Sequence, residues 1–464
     1  GYFAFGGYSG TDGSAIAAQN VVAIGSTTTA TEGRNSALNL ELTVPVLETL
    51  GTTFVVRWTE GVTVRMERIY EHRDYQVDAE VTISDEQELS PHLLGPVRTS
   101  ITKTWRSVIA DLDRVSERGD WRQRLTQASI LVLERYRAGV PIVALGAIEP
   151  PAAIAEVLPG VVWANLPTLI YGAGGIGKSQ MALAFASALH TGTECGGLQA
   201  IQGNVLFLDW ETSDRMTWHR NNGLLKSRGI EPGPWPDPAY PNAGRTGMVY
   251  YRFMAGPVWD SVEFLKAEVA RLGIRTIVID SAGPACGGEP ESAAPTLKFF
   301  DALRDMSDPN DPVQSIILAH VTHEARKGGR SSPFGSVYWI NLPRNVFELA
   351  VSAGQRQNHS DYALHHRKSN TGSLRPPLGF RMTWSQDGCT IDDLDIRQNS
   401  KLVATLPLGE RVTIALAEHG AMSTADLAEL LDAPSRSLSA TLSGDDRFVS
   451  QNGRWETTEP LGVQ

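Results

Sequence analysis

The sequence predicts an α/β protein with a mostly parallel sheet and an antiparallel extension, flanked by two smaller modules. Three observations predict it. Between Leu166 and about Trp384, short apolar strands alternate with helical stretches: "NVLFLD" (204–209), "VYYRF" (249–253), "TIVID" (276–280) and "SIILAH" (315–320) are separated by runs such as "DSVEFLKAEVARLG". A glycine-rich turn, "GAGGIGKS", links an apolar strand end to an apolar helix-like run. The segments before and after this core read differently, β-rich then helical on one side and compact and helical on the other.

With 464 residues and 42% apolar content, the chain is long enough for two to four domains with a sizeable core. Its first residue is Gly rather than Met, as in a trimmed chain with an upstream portion missing, and "GYFAFGGYSG" has neither a basic nor an apolar leader pattern. No apolar run approaches the length that crosses a bilayer, so a cytoplasmic protein without a membrane partner is expected. The three cysteines, Cys195, Cys286 and Cys389, are far apart with no C-x-x-C spacing, which suits buried reduced thiols and offers no metal site. A net charge of -11 excludes a surface that binds nucleic acid everywhere, while leaving room for a local basic loop.

Taken in order, residues 1–38 form a Gly/Ser/Thr-rich arm or partial domain. Residues 39–150 form a module that is β-rich, then helical: "TTFVVRWTEGVTVRMERIY" alternates around Glu60-Gly61, "YQVDAEVTIS" alternates again, and helices are expected over 105–113 and 121–137. Its arginines (Arg106, Arg114, Arg118, Arg122, Arg124) are mixed with acids, as on a solvated face. "AIEPPAAIAEVLPG" reads as a linker, and the core domain spans 151–390. Late in the core, "NVFELAVS", "YALHHR" and "LGFRMTW" read as antiparallel strands extending the sheet. Residues 405–458 read as three helices, the second opened by Ser423 with Asp426 as a capping pair, then a hairpin at Asn452-Gly453. That order is the pattern of a winged helix-turn-helix.

The run Gly172, Ala173, Gly174, Gly175, Ile176, Gly177, Lys178, Ser179 has the spacing G-x-x-x-x-G-K-S between a strand and a helix. Glycines there let backbone N–H groups converge on phosphate oxygens, and the helix that follows points its positive end at them. Lys178 is placed for the β- and γ-phosphates and Ser179 for Mg²⁺, so ATP and Mg²⁺ are the expected cofactors. Hydrolysis needs two more carboxylates. Asp280 ends "TIVID", where a metal-shell aspartate belongs, and "FLDWET" aims Glu211 or Asp209 at the cleft as a general base, with Glu211 preferred.

This ordered set, with a further strand ending in His320, resembles the RecA-like ATPases and in particular the hexameric RepA-type replicative helicases and related phage and plasmid ATPases. The resemblance covers 166–384. It implies that Glu211 polarises the attacking water and that His320 senses the γ-phosphate. It also implies that the basic loop after it, through Arg326, Lys327 and Arg330, lines a channel for single-stranded DNA. Lys368 in "HHRKSNTG" matches a lysine that reaches the neighbouring subunit's phosphates, although Thr371 replaces the family's aromatic, and Arg344 in "NLPRN" falls near an arginine finger. ATP-driven translocation on or remodelling of DNA by a homo-oligomer, a hexamer by resemblance, alongside replication proteins, is therefore expected. The alternatives are a regulatory ATPase whose winged helix reads a promoter, and an ATP-gated loader or scaffold that does not unwind DNA. The first is disfavoured by charge, because residues 410–456 hold four arginines, no lysine and eight acids.

Overall fold

A computed structural model describes residues 44–50, 53–72, 74–87, 92–103, 105–139, 142, 144–147, 153–231, 247–307, 312–321, 332–352, 358–386 and 388–458. The expected arm at 1–38 and the three cations Arg326, Lys327 and Arg330 lie outside the described residues. The chain divides into two compact units, split between residues 151 and 152.

In the first unit, strands β1 (Val46–Leu50), β2 (Thr53–Arg57), β3 (Val62–Glu71), β4 (Val77–Asp85) and β5 (His92–Ser100) form an antiparallel sheet in sequence order. Alternation drives it: Val77, Ala79, Val81 and Ile83 are buried on one face of β4. Helices α1 (Arg106–Val115) and α2 (Trp121–Ala138) supply apolar residues to the same core, Val108 and Leu112 from one, Trp121, Leu125, Ala128 and Val132 from the other, each set at helical spacing. The reading of the arginines as a solvated face needs correction. Arg124 is 1% exposed and donates to Glu60 (2.6 Å) and Asp120 (2.9 Å), and Arg118 pairs with the buried Asp85. A charge placed inside needs partners there, and this module supplies them.

The second unit begins with strands β6 (Glu156–Leu158) and β7 (Val162–Trp163), so part of the expected linker is a hairpin against the core. Next come β8 (Pro167–Gly172), α3 (Lys178–Thr191), β9 (Glu194–Cys195), β10 (Leu198–Gln199), β11 (Asn204–Asp209), α4 (Asp214–Ser227) and β12 (Tyr250–Phe253). They are followed by α5 (Val262–Leu272), β13 (Ile274–Asp280), α6 (Ala282–Cys286), α7 (Ala293–Asp305) and β14 (Gln314–His320). After α8 (Tyr338–Asn341), the strands β15 (Asn345–Val351), β16 (His359–Ser369), β17 (Leu378–Trp384) and β18 (Cys389–Asp393) complete a nine-stranded sheet of order β12-β11-β13-β14-β8-β15-β16-β17-β18.

From β12 to β15 every neighbouring pair is parallel. This corrects one expectation: "NVFELAV" is a parallel strand, with Asn345 opposite Thr168, and the antiparallel extension starts at β16. β18, formed from the short polar "CTIDD", was not anticipated. Strand β8 is covered on both faces, which is why it reads as continuously apolar: Leu169 and Tyr171 enter one core cluster and Ile170 the other. Helix α3 is buried at every residue from Met181 to His190, enclosed by the sheet and by α4.

After β18 come α9 (Ser400–Val403), α10 (Leu408–His419), α11 (Thr424–Leu430), α12 (Ser435–Gly444) and the hairpin β19 (Phe448–Gln451) and β20 (Arg454–Thr457). Ser423 and Asp426 form a reciprocal capping box on α11. Asn452 (φ 50°) and Gly453 (φ 78°) close the two-residue turn of the hairpin, both in the left-handed region such turns require. Val412, Leu416, Leu427, Leu438, Leu442 and Phe448 give these elements a core of their own.

Candidate nucleotide site

The parallel strands deliver their carboxyl ends to one edge of the sheet, and the candidate residues gather there. Gly172 closes β8 with no room for a side chain, since a Cβ would lie 2.7 Å from Ile176 and 2.8 Å from the Leu349 carbonyl oxygen. Gly177 has φ +98°, and a Cβ there would meet the Tyr362 hydroxyl at 2.8 Å. These contacts make the loop a glycine structure for steric reasons as well as for ligand approach.

Lys178 opens α3 and is 6% exposed. Its ammonium donates to the loop's own carbonyls, Gly172 O (3.0 Å) and Ala173 O (2.8 Å), and lies 3.3 Å from His320 Nδ1. Burial pulls its pKa down to about 8, against the opposing pull of Asp280 and Glu211. Because an ammonium only donates, His320 Nδ1 must accept and Nε2 must carry the ring proton, which faces Glu211 Oε1 at 3.4 Å. The same Oε1 accepts from Ser281 Oγ at 2.6 Å. Hydrogen bonding from His320, then from Ser281, holds the Glu211 carboxyl at about 2 against its partial desolvation. Lys178, His320, Glu211 and Ser281 are thus one connected chain.

The two strand-end aspartates differ sharply. Asp209 is fully buried and its oxygens accept from Glu211 N (2.8 Å), Thr212 N (3.0 Å), Thr212 Oγ1, Thr217 Oγ1 (3.4 Å) and Tyr251 OH (3.2 Å). Saturated in this way it shapes the turn that presents Glu211, and it has no lone pair directed at a substrate. Asp280 is 3% exposed, and burial raises its pKa to about 6 although Ser179 hydrogen-bonds to it. A buried carboxylate this poorly compensated, beside a serine hydroxyl, fits a hard divalent cation: Ser179 and Asp280 are oxygen donors of the kind Mg²⁺ takes. Among the described residues there is no cluster of three or more His, Cys, Asp or Glu that would hold a metal by itself. Bound there, Mg²⁺ supplies charge neutralisation for phosphate oxygens.

The other two candidates lie elsewhere. Arg344 N donates to Pro167 O, at the amino end of β8, five residues and so roughly 16 Å from Gly172. Its side chain is exposed. Lys368, on β16, donates to the carbonyls of Ile340 (2.9 Å), Asn341 (2.8 Å) and Pro343 (2.7 Å), tying down the end of α8. Burial and then the nearby Arg344 lower its pKa. Neither residue reaches the phosphate loop of its own chain. Sequence reasoning missed Ser281, Tyr362 and Tyr251. Ser281 had a signal, as it directly follows Asp280, whereas the tyrosines come from strands whose neighbours only the fold defines.

Residues 135–326 match the family described as an AAA domain. No curated protein matches the chain. Among solved structures it is similar to a KaiC-like protein from the hyperthermophilic archaea Pyrococcus horikoshii OT3, at 15% identity over 51% of this chain and 93% of that one, with a TM-score of 0.33. The strand order and the loop with its surrounding carboxylates, together with the AAA-domain match over residues 135–326, support a P-loop ATPase core of α/β architecture. Among the described residues no helix is long and apolar enough to cross a membrane.

Proposed function

We propose that the chain is an oligomeric motor that couples ATP hydrolysis to movement along, or remodelling of, single-stranded DNA, with replication as its setting. One observation carries the coupling. His320, which touches both Lys178 and Glu211, is also the point where the basic segment leaves and rejoins the sheet: Phe334 N donates to His320 O at 2.7 Å, and Val321 bridges Pro333. Arg326, Lys327 and Arg330 fall between those anchors. A histidine drawn toward a γ-phosphate therefore pulls on the footing of a segment whose cations suit a nucleic-acid backbone.

In hydrolysis, Glu211 takes the proton of the attacking water and Lys178 balances charge on the β- and γ-phosphates. In the structure both are engaged otherwise, since Lys178 donates to Gly172 O and Ala173 O and Glu211 is kept weakly basic by His320. When His320 turns to the γ-phosphate, Glu211 loses that hydrogen bond and becomes the better base. The remaining charge is balanced in trans by Arg344 of a neighbouring protomer in a ring, hexameric by resemblance. Lys368 joins it by exchanging a carbonyl for a phosphate oxygen. We read the helical C-terminal elements as a winged helix, in which Arg447 is tied to Asp445 and Glu410, Arg411 to Leu431 O and Arg454 to Ala421 O, leaving Arg436 and serines on α12. We assign them protein contact rather than duplex reading.

The test is ATP turnover with and without single-stranded DNA, in wild type and in a variant with Arg326, Lys327 and Arg330 changed to Glu. Stimulation in wild type, lost in the variant with basal turnover intact and a flatter salt dependence of binding, supports the motor. Turnover indifferent to DNA in wild type overturns it and favours the loader.

A further inference from the structure

We infer that Trp384 is the platform on which the base of the bound nucleotide stacks, an inference that rests on the nucleotide-site reading above. The strand order sets the direction of the ligand. Glu211, Asp280 and His320 lie at or just beyond the ends of β11, β13 and β14, all to one side of β8. The γ-phosphate must face them, while the loop amides hold the α- and β-phosphates. The nucleoside therefore leaves on the opposite side of β8, over the ends of β15, β16 and β17.

On that side two contacts join the sheet to the loop and the first turn of α3, and a strand pairing carries the second to Trp384. The Tyr362 hydroxyl of β16 abuts Gly177. Gln180, which follows Ser179, is hydrogen-bonded to the Cys389 thiol. Cys389 is in turn the register partner of Trp384. Phe380, Met382 and Trp384 alternate along β17 and so share one face. Phe380 and Met382 are 1% and 0% exposed within the core around α3, where Phe380 meets Phe185 with ring centroids 5.7 Å apart. Trp384, the last of the row, projects past that core at 39% exposure, at the phosphate-loop end of the sheet. Its backbone is fixed by donation to Asn358 O at 2.7 Å.

An indole face takes any nucleobase, because each offers a π-surface, so this platform adds affinity without choosing between adenine and guanine. The experiment measures dissociation constants for ATP, GTP and inorganic tripolyphosphate in wild type, Trp384→Ala and Trp384→Phe. Trp384→Ala is expected to weaken ATP and GTP alike, by about tenfold, and to leave tripolyphosphate unchanged, with Trp384→Phe recovering most of the loss. Unchanged ATP affinity in Trp384→Ala overturns the platform while the nucleotide site stands. An equal loss for tripolyphosphate also overturns it, since the change then acts on the loop. Wild type that binds neither nucleotide nor tripolyphosphate removes the site reading itself, and the platform with it.

Discussion

The two ends of the central sheet hold their charged groups differently. At the carboxyl end, Asp280 is buried with its pKa raised to about 6, Lys178 is lowered to about 8, and Glu211 is half open to solvent. At the amino end, Lys368 has three carbonyl acceptors at 2.7 to 2.9 Å. Lys178 has acceptors too, Gly172 O, Ala173 O and His320 Nδ1, and burial lowers Lys368 as well, so the difference lies in the carboxylate: Asp280, buried with its pKa raised, marks the end suited to a cation and its ligand. Arg344 is exposed at the amino end, and its proposed role is at a neighbouring protomer's site.

The largest expected effect tests the carboxyl end. Lys178→Ala should bring ATP turnover to background and weaken ATP binding by about 10²-fold or more, because no other cation is positioned by the loop. Undiminished turnover would show that the charged groups there mean nothing for catalysis.

Next comes the amino end. Arg344→Ala should lower turnover by roughly 10³ to 10⁵, the range for a supplied arginine. Mixing Arg344→Ala with Glu211→Gln subunits should restore partial activity, since some interfaces then pair an intact arginine with an intact carboxylate. No recovery at any ratio, with subunit exchange demonstrated, would return Arg344 to the surface.

A smaller effect separates the two strand-end carboxylates by their partners. Glu211→Gln should cost about 10²- to 10⁴-fold in turnover with ATP affinity kept. Asp209→Asn should act on stability, by about 1–3 kcal/mol, because it disturbs acceptors that the turn requires. Turnover and thermal melts on both variants decide it, and the reverse assignment would mean that saturation is a poor guide to role.

The smallest effect is a gain in stability. Asp280 has a folded pKa of about 6, above the ordinary 3.8, so between those values the fold keeps a proton that the unfolded chain releases. Stability from this group therefore falls as pH rises from about 4 to 6, and the whole cost stands above 6. Asp280→Asn should raise the melting temperature by a few degrees at pH 7, with the difference vanishing near pH 4, while metal-dependent turnover is lost. A variant that melts lower at pH 7 would show that burying this carboxylate does not cost the fold stability.

What could be read from the sequence was what lies close together along it. The loop, its flanking strand and helix, and the aspartate at the end of "TIVID" are local patterns. The choice between Glu211 and Asp209 was not local, because one of the groups that saturates Asp209 is Tyr251, on the neighbouring strand β12. The parallel direction of β15 was hidden for the same reason, since its partner β8 lies far upstream and apolar content does not encode direction. Strand β18 carries Thr390, Asp392 and Asp393 in five residues, too polar and short to stand out.

The burial of α3 on every side has a further consequence for exchange with solvent. A helix with one wet face can fray or tilt alone, but the amides of Met181 through His190 open only when the surrounding sheet opens. Their deuterium uptake should therefore follow global unfolding, whether or not the loop is filled. The uptake of the loop amides just ahead of them should respond to nucleotide. The phosphate loop thus stands ahead of a helix that moves only with the sheet around it.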